Sequence, residues 1–209
     1  MAVGVACGAA LIAYYVVSYL IVRPPFVSAA GRTPSANLTL QTVAALGFGP
    51  HPDWVSYLVQ TPQGKWVHST DLAVPAHSLV KITIYQYDTA TGLRNPYWGG
   101  PQGIVGEMSV NGTPTPTLDP SLASHTFAIP ELGVSVPLEG IPSKAKHQCT
   151  TAPCTLAEAH NTITFTIRAG EPGTFRWQCF VPCAFKTILG FGGPMQSVGY
   201  MDGYLRVVA

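Results

Sequence analysis

Charged residues are scarce in this sequence, and their scarcity limits what the protein can bind. Lys and Arg number 11 and Asp and Glu 10 among 209 residues, which gives 10% charged residues and a formal net charge of +1. Soluble proteins usually carry about 25% charged residues. Nucleic-acid binding needs clustered Lys and Arg to neutralise phosphates, and the sequence contains no such cluster. We therefore exclude nucleic acid as a partner and expect association with a membrane.

The sequence also lacks the common catalytic motifs. It has no nucleophile elbow, no H-E-x-x-H and no convincing pair of carboxylates. The glycine-rich "GFGGP" (residues 190–194) does not follow a predicted strand or open a predicted helix, as a phosphate-binding loop would. We therefore predict no catalytic constellation within this chain.

An uncharged apolar run opens the sequence. "AVGVACGAALIAYYVVSYLIV" extends from Ala2 to Val22, and about 20 apolar residues are enough to cross a bilayer as a helix. We predict a transmembrane anchor over residues 1–22, a Pro- and Ser-rich linker over 23–36 and one domain over 37–209. The alternative is a cleaved signal peptide, which is disfavoured because no basic segment precedes the apolar run.

Two observations disagree about which side of the membrane the domain occupies. Arg23 and Arg32 follow the predicted span, and the positive-inside rule would place them in the cytoplasm. The cysteine usage instead suggests an oxidising compartment. We favour the outer face of the plasma membrane.

Cys149 and Cys154 lie close together in "HQCTTAPC". Outside the cytoplasm, two cysteines in a short Pro-containing loop favour a disulfide. The alternative is a zinc site in which His147 and His160 join the two thiolates.

The region from residue 37 onward has the pattern of an all-β domain. Segments such as "NLTLQTVAAL", "DWVSYLVQT" and "HSLVKITIYQYD" alternate apolar and polar residues and are separated by Gly- and Pro-containing turns. Asn111-Gly112 is typical of a hairpin tip. "TLAEAH" has the pattern of a single helical turn capped by Thr155, with Glu158 in the capping-box position.

Two motifs in the last 85 residues resemble a known family. "HTFAIPELGV" begins at His125 and is followed by "GIP" at residues 140–142; "PGTFRWQC" ends at Cys179, with Cys183 four residues later and "MDGYLRVV" from Met201. Together they resemble the cupredoxin superfamily, and specifically the CuA domain of haem-copper (cytochrome c) oxidase subunit II. The resemblance implies a Greek-key β-sandwich that binds copper through His125, Cys179, Cys183 and Met201.

The ligand loop departs from that family. The family's second histidine position holds Thr187, its methionine position holds Gly190, and no histidine follows His160. Aligned from the last strand instead, Met201 takes the methionine position and Val198 the histidine position.

Three states of the site remain open: a dicopper centre, a mononuclear copper site in which Met195 can substitute as a soft ligand, or no metal. In the last case Cys179 and Cys183 form a disulfide or stay reduced.

The resemblance implies a membrane-anchored protein with its domain on the outer face. It would act as an electron-transfer or accessory subunit of a respiratory or copper-dependent complex, with other membrane-protein subunits and a redox carrier as partners. Two alternatives are a metal-free structural or assembly subunit with a degenerate copper site, and a protein that delivers copper to another protein.

Overall fold

Most strands form where apolar and polar residues alternate, because one face of each strand is then buried. The computed structural model of the protein describes residues 2–20, 24–44, 51–184 and 188–209. In the strand Leu79–Gln86, for example, Val80, Ile82 and Ile84 are buried while Lys81 is exposed.

The described strands form two sheets. The first sheet contains, in spatial order, β1 (Phe26–Ser28), β6 (Asp71–Pro75), β14 (Asp202–Val208), β13 (Gly173–Gln178), β10 (Ala123–Ile129) and β11 (Val134–Glu139). The second contains β5 (Trp66–His68), β4 (Ser56–Gln60), β3 (Ser35–Val43), β7 (Leu79–Gln86), β12 (Asn161–Arg168), β8 (Ser109–Val110) and β9 (Thr113–Pro114), with β2 (Ala30–Arg32) paired to β3. The pairs β1–β6, β6–β14 and β3–β7 are parallel, and the other strand pairs are antiparallel.

One apolar core lies between the sheets and contains side chains from both. At its centre the Trp177 ring contacts Tyr57 edge-on and stacks on Phe127, with 4.9 Å between ring centroids in each case. Tyr57 belongs to the second sheet, and Trp177 and Phe127 belong to the first. The predicted all-β sandwich is therefore confirmed.

The N-terminal run forms the α-helix α1 (Ala2–Tyr15), which continues as a π-helical segment over Val16–Leu20. An α-helix of 14 residues is about 21 Å long, whereas the hydrocarbon core of a bilayer is about 30 Å thick. In the part of the chain that the structure describes, no helix is both long and apolar enough to cross a membrane. The structure thus departs from the transmembrane helix predicted over 1–22, of which residues 1, 21 and 22 lie outside the described residues.

Short elements complete the fold. Strands β1 and β2 lie within the segment predicted as a linker. The predicted hairpin at Asn111-Gly112 is confirmed, since β8 and β9 pair on either side of it. Five 3-10 turns are described, at Pro96–Gly99, Pro120–Leu122, Pro130–Leu132, Ile188–Gly190 and Gly193–Gln196.

An insertion over residues 142–160 packs against part of the outer face of the second sheet, around Val43, Leu58 and Tyr87. The predicted Cys149–Cys154 disulfide is present within it. The backbone N–H of Cys154 donates to Oε1 of Gln41 at 2.7 Å, and the Tyr87 hydroxyl donates to the carbonyl of Thr155 at 3.0 Å. "TLAEAH" forms a hydrogen-bonded turn rather than a helix.

Candidate metal centre

His125 lies on β10, next to an irregularity in the sheet. The pairing between β10 and β11 shifts between Ala123 and His125, and the His125 side chain is 1% exposed. Such irregularities re-aim side chains near functional sites. Here the imidazole lies inside the protein.

Cys179 follows the last residue of β13 and is held by β10 and by Met201, the residue before β14. Its Sγ accepts a hydrogen bond from the backbone N–H of Thr126 at 3.4 Å, and its own N–H donates to the carbonyl of Met201 at 2.9 Å. The N–H of Phe180 donates to the Thr126 hydroxyl at 2.8 Å. Because Thr126 follows His125 directly, these bonds fix the first thiol beside the imidazole.

Three ligand-type atoms converge at this point. Nδ1 of His125 lies 3.8 Å from Sγ of Cys179, and Sγ of Cys183 lies 3.7 Å from Sγ of Cys179. Candidate ligand atoms of these three residues all lie within 4.8 Å of one another. Disulfide sulfurs lie about 2.05 Å apart, so the two thiols are not bonded to each other.

A carboxylate holds the far side of the imidazole. Nε2 of His125 lies 3.1 Å from Oδ2 of Asp88, while Oδ1 of Asp88 accepts from the N–H of Thr89 at 2.7 Å. Hydrogen bonds of this kind fix the ring orientation and tautomer of metal-binding histidines. The sequence pattern had indicated only that a strand ends near Asp88.

Burial and neighbouring charges shift the pKa values of the groups at this site. Burial would lower the pKa of His125, but the hydrogen bonds and negative charges of Asp88 and Cys179 outweigh burial and raise it to about 9. Burial would raise the pKa of Cys179, but hydrogen bonds from Cys183 and His125 and the charge of His125 hold it well below its usual value. The pKa of Cys183 is raised by its hydrogen bond to Cys179 and by burial. Cys179 is therefore the more acidic of the two thiols.

These spacings fit a single metal ion. Donor atoms about 2.0–2.3 Å from one ion at tetrahedral angles lie about 3.3–3.8 Å apart. The 3.7 and 3.8 Å separations around Cys179 are within or close to that range. Thiolates with an imidazole suit copper or zinc rather than magnesium or calcium. Copper therefore fits the donor set that is present.

The predicted methionine ligands lie on the segment between Cys183 and β14. Met201 is fully buried and is joined to Cys179 through its carbonyl, and its own N–H donates to the carbonyl of Pro194. Met195 is buried in the turn Gly193–Gln196. Thioether coordination by either residue stays a prediction.

The two positions where the family has its second histidine lie in different parts of the loop. Thr187 lies outside the described residues. Val198 forms an isolated bridge with Asp202. Neither side chain supplies an imidazole.

Comparisons with known proteins give only distant likenesses. No protein-family model and no curated protein matches the chain. Among solved structures, rusticyanin from Thiobacillus ferrooxidans is 16% identical, with 90% of this chain and 84% of that chain covered and a TM-score of 0.38. Reduced rusticyanin is 16% identical, with 90% and 87% covered and a TM-score of 0.37. A rusticyanin variant with a histidine replaced by methionine is 18% identical, with 90% and 85% covered and a TM-score of 0.38. Because these TM-scores are below 0.5, the likenesses do not by themselves establish a family for this chain.

Proposed function

We propose that the protein is a cupredoxin-like electron-transfer protein that binds one copper ion through His125, Cys179 and Cys183. The observation that supports this proposal is the convergence of one imidazole nitrogen and two free thiol sulfurs in a buried site between β10 and the end of β13. A mononuclear site is favoured over a dicopper centre because the described ligand set contains a single imidazole.

Each protein group has a separate task in this proposal. Cys179 and Cys183 bind through sulfur and His125 binds through Nδ1, while Asp88 keeps Nε2 of His125 turned away from the sulfurs. The N–H of Thr126 stabilises negative charge on Cys179. Bound copper would supply one-electron oxidation and reduction. Burial of His125 and Cys179 limits the movement of these two ligands, whereas Cys183 is half-buried.

Copper titration of the anaerobically reduced protein tests this proposal. We expect one tightly bound copper per chain and, after oxidation, a thiolate-to-copper absorption band. The variants Cys179→Ser, Cys183→Ser and His125→Gln should each weaken binding and lose or shift the band. Cys7→Ser is the matched control, because Cys7 is an exposed free thiol in α1.

Other results would identify the alternatives. A folded protein that retains no copper would contradict the proposal and favour a structural or assembly subunit. Exchangeable Cu(I) without a stable Cu(II) colour would favour copper delivery. Two coppers per chain would indicate a dicopper centre.

We also propose that the protein is located at the outer face of the plasma membrane, next to other membrane-protein subunits and a redox carrier. The uncharged run 2–22, its exposed apolar side chains and the Cys149–Cys154 disulfide support this location. Protease added to intact cells should cleave the domain. In fractionated cells that have not been treated with protease, the protein should sediment with membranes. A protected domain, or one recovered only in the soluble fraction, would contradict this location.

A further inference from the structure

A second group of metal-ligand types lies in the insertion 142–160, on the outer face of the second sheet. It consists of Cys149, Cys154 and Glu158, whose sulfur and carboxylate atoms all lie within 4.8 Å of one another. The two cysteines form a disulfide with a Cα–Cα distance of 5.7 Å. The group shares no residue with the candidate copper site.

The protein holds the Glu158 carboxylate beside the disulfide. Oε2 of Glu158 accepts from the N–H of Thr155 at 2.6 Å, and the N–H of Glu158 donates to the carbonyl of Thr155 at 3.1 Å. This reciprocal pair closes a tight turn directly after Cys154. The carboxylate is therefore positioned by the backbone rather than by a flexible contact.

One of the two cysteines is fixed to the body of the domain. Cys154 is 5% exposed and packs with Val43, Leu58 and Tyr87, whereas Cys149 is half-buried and lies nearer the surface. Reduction would free Cys149 to change rotamer, while Cys154 and Glu158 keep their places. Two of the three donors are thus held in place before any metal arrives.

We propose that this group is a redox-gated zinc site, closed as a disulfide and opened by reduction. A dithiol reductant gives two electrons and two protons to the Cys149–Cys154 bond, which becomes two thiols while the reductant becomes a disulfide. Zn²⁺ then binds the two sulfurs and the Glu158 carboxylate, and the two thiol protons pass to solvent. Water completes the four-coordinate shell that zinc prefers.

In this arrangement zinc replaces the disulfide as the cross-link of the same loop. The insertion would stay tied over the second sheet in both states, although its charge and its bound ion would differ. The inference does not depend on the proposed copper function.

Cobalt binding to the full-length chain tests the inference. The background is a variant in which Cys7, Cys179 and Cys183 are serine, so that Cys149 and Cys154 are the remaining thiols. After reduction with a phosphine, Co²⁺ should bind at one ion per chain with a sulfur-to-cobalt charge-transfer band, and Zn²⁺ should displace it. The oxidised protein should bind no Co²⁺ at this site.

Glu158→Gln tests the third ligand. The glutamine can still accept from Thr155, so the turn is kept, but Co²⁺ affinity should fall by about tenfold or more. Glu171→Gln removes an exposed carboxylate elsewhere and should leave the affinity unchanged. Far-UV circular dichroism confirms that each reduced variant is folded.

Two results would overturn the inference. One is a folded, reduced protein without a sulfur-to-cobalt band. The other is an affinity that Glu158→Gln leaves unchanged. Because the background variant lacks the thiols of the copper site, neither result bears on copper binding.

Discussion

At the scale of single residues, the candidate copper site depends on the direction in which one imidazole ring faces. His125 has two ring nitrogens, and the structure gives each a different neighbour: Nδ1 faces Sγ of Cys179, and Nε2 faces Asp88. If the ring were flipped, the thiols would lose their nitrogen partner. Asp88 is thus a positioning residue for the site.

Asp88→Asn should weaken copper binding without abolishing it. The amide keeps the shape of the side chain but loses the negative charge that supports His125 as a ligand, and loss of such a partner typically costs about 10–100-fold in metal affinity. Competition titration with a Cu(I) chelator measures the change. Glu171→Gln is the control, and an Asp88→Asn affinity equal to that of the wild type would show that the carboxylate does not support the ligand.

Gln86 is the last residue of β7 and lies two positions before Asp88. It offers a test of what a buried polar side chain costs. Its side chain is fully buried, and neither its Oε1 nor its Nε2 has a hydrogen-bond partner among the described residues. Gln86→Met keeps a similar length and removes both polar atoms, so we expect the free energy of unfolding to rise by about 1–3 kcal/mol. Urea unfolding measures the change, and a loss of stability would show that the amide is needed.

His68 predicts a pH dependence of stability. Its Nε2 lies 2.9 Å from the Ser56 hydroxyl, and burial lowers the pKa of His68 from 6.5. The unfolded chain therefore takes up the proton more readily than the folded protein. The His68 contribution to stability is present above pH 6.5 and is lost as the pH falls through its lower folded pKa.

Urea unfolding at pH 7.5 and pH 5 tests this dependence. His68→Gln should lose less stability between the two values than the wild type does. An unchanged dependence in His68→Gln would contradict the prediction.

Some residues of the candidate sites are indicated by sequence motifs, and others are not. His125, Cys179 and Cys183 could be proposed because each lies in a short motif with characteristic neighbours. Asp88 could not, because it lies 37 positions from His125 and no local pattern connects the two. The zinc alternative placed His147 and His160 beside Cys149 and Cys154, but among the described residues the group of ligand types at that pair contains Glu158, for which the sequence indicates only a capping role.

At the scale of elements, β14 links the site to the body of the first sheet. It lies between β6 and β13, and Met201, directly before it, accepts the hydrogen bond from Cys179. At Gly203 the strand passes close to β6, and the N–H of Tyr204 donates to the carbonyl of Thr70 at 2.9 Å. A side chain at Gly203 has no room beside Thr70.

Gly203→Ala should therefore destabilise the protein. The added Cβ would lie 2.0 Å from the carbonyl oxygen of Thr70, so the two strands must move apart. We expect a loss of about 2–3 kcal/mol in the free energy of unfolding, measured by urea denaturation. Gly170→Ala is the matched control, since a Cβ there meets nothing within 4 Å; equal effects at the two positions would contradict the steric explanation.

Elements were predictable where a strand buries one face and exposes the other. The pattern of β7 shows this alternation clearly, and its sequence indicated a strand. Strand β1 was not predicted because it has only three residues and forms by pairing with β6, more than 40 positions later. Its position depends on a tertiary contact that an apolar-polar pattern does not encode.

At the scale of the whole molecule, the sandwich and the N-terminal helix differ in how far their apolar side chains are buried. Side chains on α1 such as Val5, Leu11 and Ile12 are 73%, 68% and 67% exposed, whereas the sandwich has a continuous core. Burial in the core, rather than contact with the helix, therefore accounts for the stability of the domain.

Removing residues 1–20 should leave the domain folded. We expect the urea midpoint to stay close to that of the full chain and copper binding to be retained, because no described side chain of α1 belongs to the core. Self-association, measured by analytical ultracentrifugation, should decrease as the exposed apolar surface is lost. A large drop in the midpoint would show that the helix supports the sandwich.

The central position of β14 also has a consequence for how the protein is made. Residues 202–208 lie between β6 and β13, so the first sheet stays split into two parts until these residues have emerged from the ribosome. Pairings between such distant segments form slowly, and an unpaired β6 edge can meanwhile attract other strands. The nascent chain should therefore depend on chaperones in the interval between the translation of β13 and the insertion of β14 into the sheet.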